Sequence, residues 1–400
     1  MLGRQEVVLT ALPTHQVRFY NGSRIHIPAG KTIYLTRDSA GIATAFEKAF
    51  KKLNIAARII DATPQNIPDL PDAAGLVLIP DTFCQPGDDA VASQFLLTAF
   101  SLASKNGPRL TASAKAGGSF MTCISFLGGG FGFKNFKTQI SPVYGGMAGL
   151  AKTAALEWKS VLCRALDLPF DKKAIKENAE AAAGLMLTRG AVEMGLDGEQ
   201  CYIPELVSKP VREPLEICLD KSDVVVISGG ARGVTAACAI ALAGQCQSKI
   251  ALFGRSEPPF DEPAWLKGMD TPAQMKKAIF ANAFEKEKPT PARVEAEYRH
   301  FASNRDIKTN LERIQKWGNE VAYYCVDIRD QALVNAAMEK VTEQLGLVTA
   351  LIHGAGVLED KLICEKTPDQ FKNVFGTKIN GLFALLSSVD QDKLDRKSVV

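Results

Sequence analysis

Short apolar, β-branched runs alternate with longer amphipathic stretches along most of the chain. The alternation predicts strand–helix units. In the first half, strands are expected at residues 31–36, 56–60, 75–79, 120–126 and 161–167. Helices are expected at 40–53, at 94–105 with a stop at Asn106-Gly-Pro, at 146–158, and at 179–195. Residues 204–222 are polar and broken by Pro204, Pro210 and Pro214, which reads as a connection with a boundary near residue 220.

The second half opens with a strand from Val224 and adds strands at 249–254, 320–326 and 348–352. Helices follow at 236–243, 306–317 and 368–389, and residues 398–400 begin a fifth strand. A charged insertion at 257–305 carries Thr271-Pro and Thr290-Pro, each an N-cap followed by proline at the first helical position. Two short surface helices are expected there. Strands alternating with helices at this spacing imply an α/β fold built on parallel sheets.

Composition narrows the class. The 400 residues are 46% hydrophobic and 23% charged with a net charge of +3, as in ordinary globular domains. No basic run with interleaved aromatics points to nucleic acid. Nine cysteines without a C-x-x-C pair read as reduced residues, not as a disulfide or metal framework. No apolar run is long enough for a membrane span, and the N-terminus lacks a signal-peptide profile. A cytoplasmic location is expected.

Candidate chemistry concentrates in the second half. The strand from Val224 runs into Ser228-Gly-Gly-Ala-Arg-Gly-Val-Thr235 and then a helix of small residues. Glycines let a diphosphate approach the backbone at the positive end of a helix dipole. The spacing of Gly229, Gly230 and Gly233 only approximates the dinucleotide fingerprint, so a tight structural turn stays the alternative. Arg255 and Ser256 end the next strand, where an NAD-preferring site would carry a carboxylate. An Arg there suits a 2′-phosphate and hence NADPH. Asp327 ends the third strand, where it could meet an adenine amino group or cap a helix. His353-Gly-Ala-Gly356 ends the fourth, with small residues that leave room for a cofactor. His353 itself reads as a structural hydrogen bonder. The glycine run at 128–132 lacks a following helix, and Tyr144 and Lys152 are too far apart for an i, i+4 pair. Neither is expected to carry chemistry.

These motifs in order, together with Thr377-Lys-Ile-Asn-Gly381 and Glu262-Pro-Ala-Trp265, resemble a ketoreductase domain of the short-chain dehydrogenase type. Such domains occur in polyketide and polyunsaturated fatty acid synthases. The resemblance implies two Rossmann-like parallel-sheet subdomains, a degenerate structural one at 1–220 and an NADPH-binding one at 221–400, incomplete at its C-terminus. It implies reduction of a 3-ketoacyl thioester on the phosphopantetheine arm of an acyl carrier protein, among other synthase domains. The cofactor residues would be Ser228, Gly229, Gly230, Arg232, Gly233 and Val234, with Arg255, Ser256, Asp327, Gly354, Ala355 and Gly356. Lys378 matches the catalytic lysine that holds the ribose and lowers the pKa of a tyrosine. The serine and tyrosine of that set are expected past the fifth strand, beyond residue 400. A catalytically silent nucleotide-binding or scaffold module and a free-standing short-chain dehydrogenase are the alternatives.

Overall fold

The computed structural model describes residues 4–13, 24–81, 89–134, 140–169, 171–210, 219–284, 289–390, 392–394 and 396–399. The chain divides into two compact units, residues 1–213 with 360–371, and residues 214–359 with 372–400.

The first unit contains β1 (Arg4–Pro13), β2 (Thr32–Thr36), α1 (Ile42–Lys52), β3 (Ala57–Ile60), β4 (Ala73–Leu78), α2 (Asp89–Ala116) and β5 (Phe120–Ser125). It continues through α3 (Gly146–Glu157), β6 (Leu162–Asp167), α4 (Lys172–Glu177), α5 (Ala179–Met186), β7 (Glu193–Asp197) and β8 (Gln200–Lys209). Among the described residues the sheet runs β1-β8-β7-β6-β5-β4-β2-β3. It is parallel from β3 to β7 and antiparallel at β7–β8 and β8–β1. Every residue of β4 and β5 is buried, as their unbroken apolar runs require of strands covered on both faces.

Three expectations fail here, each because tertiary contacts override a local signal. Asn106-Gly-Pro does not stop α2, which continues through Pro108 to Ala116. Asn106 is fully buried; its side chain donates to Leu102 O (3.1 Å) and accepts from Leu70 N (3.0 Å), which ties the helix to the segment before β4 just ahead of the proline. Gly107 is the packing point, since a Cβ there would lie 2.5 Å from the Trp158 ring. Second, the helix expected to reach residue 195 ends at Met186, and β7 follows. The buried Arg164 guanidinium donates to Leu185 O and, at 3.2 Å, to Ala191 O, taking a carbonyl of the last helical turn. Third, Pro204 lies not in a connection but inside β8, opposite Leu9 of the edge strand β1. Pro214 lies outside the described residues.

The second unit contains β9 (Val224–Ser228), α6 (Gly233–Ala243), β10 (Lys249–Gly254), α7 (Pro272–Asn282), α8 (Pro291–Gln315), β11 (Val321–Cys325), α9 (Gln331–Gln344), β12 (Val348–His353), α10 (Pro368–Ser387) and β13 (Arg396–Val399). The sheet is parallel throughout, in the order β11-β10-β9-β12-β13. Strand order therefore reverses beside β9, and ligands of such sheets bind at the carboxyl ends of the strands flanking that point. Apolar cores cover both faces, one around Val226, Phe253 and Val341, the other around Ile227, Leu252 and Ile307.

The insertion holds one short helix and one long one, not two short ones. Thr271 caps α7 in a full capping box with Gln274. Thr290 caps α8, whose 25 residues absorb the separate helix expected from residue 306. Nothing between the two segments breaks a helix, and Arg305 within it forks onto Glu262 (2.6 and 2.8 Å). The insertion closes its own small core of Leu266, Met275, Ile279, Val294 and Phe301. No described helix is long and apolar enough to cross a membrane.

Candidate functional site

The carboxyl ends of β9, β10, β11 and β12 open into a cleft of about 690 Å³ in the second unit. Gly229 turns the chain out of β9 with φ +70, a conformation costly for any side chain. A Cβ there would also meet the Ala355 backbone at 2.8 Å, so the two loops touch main chain to main chain. Gly233 opens α6 at φ +65. Arg232 at the N-cap gives α6 no side-chain cap, so the N–H groups of the first turn keep their capacity for an external acceptor. Both glycines and Arg232 line the cleft.

The other sequence-derived candidates divide between cleft and packing. Arg255, Ser256, Asp327, Gly354, Ala355 and Gly356 line the cleft. The Arg255 side chain is exposed, and Ser256 Oγ lies 2.9 Å from Ser303 Oγ of α8. Ser228, Gly230, Val234 and Lys378 are not on the cleft wall. Ser228 is fully buried, and a Cβ on Gly230 would strike Ile227 and Leu252. Val234 points to solvent, 77% exposed. The Lys378 stem stands behind Gly356, 3.3 Å from where a Cβ would be. Asp327 does not cap a helix, since that role falls to Asp330, which accepts from Ala332 N and Leu333 N. Asp327 is instead gripped by Arg329, whose hydrogen bonds hold its carboxyl below the usual range. His353 is buried and bonded at both ring nitrogens, as its structural reading expects.

Asp306, Ile307, Tyr323, Thr235 and Thr377 also line the cleft and were not singled out by sequence as site residues. Tyr323 donates to Ser256 O (2.7 Å), and its hydroxyl fills the space where Gly254 lacks a side chain. A glycine ending a buried strand was the one available signal. Asp306 had none, because it reaches the cleft only through the unbroken run of α8.

The first unit resolves its glycine run differently. Asp167, buried at the end of β6, accepts from Leu127 N (2.7 Å), Phe131 N (2.8 Å) and Ser125 Oγ (2.6 Å). The loop donors are thus consumed by the protein's own carboxylate. Lys152 pairs with Glu193 (3.0 Å) and Tyr144 is buried, so neither forms a site.

Residues 224–399 match the family model described as the KR domain. That segment is similar to KR domains. A polyunsaturated fatty acid synthase polypeptide of Thraustochytrium sp. is 32% identical over 265 residues, which is 62% of this chain and 9% of that protein. The acetoacetyl-CoA reductase of Paracoccus denitrificans is 32% identical over 74 residues, 18% of this chain and 31% of that enzyme. In fold, an N-terminal ketoreductase from the macrolactin assembly line matches 98% of this chain and 73% of its own, with a TM-score of 0.63 at 16% identity. The chain therefore spans a small part of the curated relatives it matches. The structural likeness takes in both units and concerns fold alone.

Proposed function

We propose that residues 224–399 form a KR domain that reduces a 3-ketoacyl thioester to the 3-hydroxyacyl thioester with NADPH, the acyl group being carried by an acyl carrier protein in polyketide or fatty acid biosynthesis. The observation that carries the proposal is the uncapped N-terminus of α6 at the head of a cleft that Arg255 and Ser256 line at the end of β10. Donors of the first turn suit a diphosphate, and an exposed guanidinium beside Ser256 suits a 2′-phosphate. The relatives support the substrate class, since one is named as a polyunsaturated fatty acid synthase and another as an acetoacetyl-CoA reductase. Other synthase domains are the expected neighbours, and the cytoplasm the expected compartment.

When bound, a reduced nicotinamide supplies the hydride. The chain's own residues fix its surroundings. The Gly229 and Gly233 turns would bring main chain to the diphosphate, and Gly354, Ala355 and Gly356 line the same cleft without bulky side chains. Lys378, whose stem stands behind Gly356, would bring a cation toward the ribose end.

Calorimetric titration of the 400-residue protein tests the cofactor reading. NADPH should bind at micromolar concentrations and NADH at least about tenfold more weakly, the scale of one charged hydrogen bond. Equal affinity would remove the NADPH assignment. Absorbance at the reduced-nicotinamide band with an acetoacetyl thioester tests the reaction.

A further inference from the structure

His353 sits 1% exposed at the end of β12, between the glycine loop and α10. Its Nε2 lies 2.9 Å from Lys378 O, and its Nδ1 lies 2.7 Å from Ser228 Oγ. A carbonyl oxygen only accepts, so the proton resides on Nε2 and Nδ1 is the acceptor. The Ser228 hydroxyl then donates to Nδ1 and accepts from Ala355 N at 3.3 Å. Every donor in this buried chain has an acceptor, and only one histidine tautomer allows it. Burial holds the ring's pKa below its ordinary 6.5, in keeping with a neutral imidazole. α10 can approach this closely because residue 381 is glycine. A Cβ there would lie 2.5 Å from Ile328 Cδ1 and 3.4 Å from the imidazole Cε1.

We infer that His353 is the positioning residue for Lys378. By holding the Lys378 carbonyl it sets the helical turn that aims the lysine at Gly356, and by holding Ser228 it locks that turn to the glycine loop. The adenosine end of the cleft, at Arg255 and Ser256, takes no part in the relay. The inference rests on the nucleotide reading of the cleft and assigns within it a division of labour. Ser228 and His353 serve the nicotinamide-ribose end, although neither lines the cleft.

The test compares NADPH with adenosine 2′,5′-bisphosphate, which lacks the nicotinamide half, on the 400-residue protein. His353→Phe should weaken NADPH about tenfold, as loss of one charge-associated contact does, and leave the bisphosphate unchanged. Lys378→Met should do the same, and the double variant should be no weaker than either single one, since both remove one interaction. His353→Gln, whose amide carries an acceptor and a donor, should restore NADPH binding. Nitrogen-15 spectra of the wild-type imidazole should show Nε2 protonated and Nδ1 bare, which needs no variant to fold. Equal weakening of both ligands, additive effects in the double variant, or a protonated Nδ1 would overturn the inference. Wild-type protein that bound neither ligand would overturn the nucleotide reading as well, an outcome distinct from the others.

Discussion

Arg255 and Asp306 face the same cleft from β10 and from the insertion helix α8, with opposite charge. A 2′-phosphate near Ser256 would feel both. Arg255→Asp should weaken NADPH by about 1–3 kcal/mol and leave NADH nearly unchanged. Asp306→Asn should strengthen NADPH by about 0.2–1 kcal/mol, the scale of an exposed charge interaction, again with little effect on NADH. Calorimetry with both cofactors checks the pair, and a common shift for NADH and NADPH would show that neither charge meets the 2′ position. Arg255 could be singled out from sequence because it follows a strand whose role was set by the glycine loop before it. Asp306 could not. Its place depends on how far α8 extends, and no local residue type signals that.

Elements whose identity rests on burial of an apolar run were legible. β4, β5, β9 and β10 all appear within a residue or two of their expected positions, because unbroken Val, Ile and Leu runs have few alternatives to a covered strand. The failures come where one local signal was read without its tertiary partner. Pro108 could not reveal that a buried Asn106 beside it would tie the helix to Leu70, and Pro204 could not reveal that β8 would pair with β1. α9 starts from Asp330, three residues past the Asp327 that the end of β11 offered as a cap. Capping signals succeeded where they were complete, as at Thr271. Thr271→Ala should cost about 0.5–2 kcal/mol, and thermal unfolding of the protein checks it. Thr271→Asp should retain most of the stability, since a carboxylate can accept the same Gln274 N–H.

At the scale of the whole molecule, the two units handle comparable loops in opposite ways. In the second, the donors at the head of α6 lack a side-chain cap, and the buried His353 behind them resists protonation. The positive charge of Lys378 adds to the effect. Because the folded pKa lies below 6.5, the unfolded chain takes up the proton first as pH falls. Stability should therefore be complete above 6.5 and decline below it. His353→Gln should flatten that decline in denaturant titrations across pH 5–7.

The first unit has already spent its donors. Asp167 takes Leu127 N, Phe131 N and the Ser125 hydroxyl, and Asp38 takes Ile42 N (2.9 Å) and Ala43 N (2.6 Å) at the head of α1. An incoming phosphate would have to displace a carboxylate held by the fold, and its own charge would meet that carboxylate's. The segment 360–371 also belongs to this unit, where Ile363 N donates to Glu157 Oε2 (2.8 Å) and Phe371 stacks on Phe100 (4.8 Å). We therefore expect residues 1–220 to support the second unit and to bind no nucleotide of their own. Expressed alone, they should give no calorimetric heat with NADPH, NADH or adenosine 2′,5′-bisphosphate. Micromolar binding by this fragment would show that Asp167 and Asp38 do not occupy the anion positions as argued.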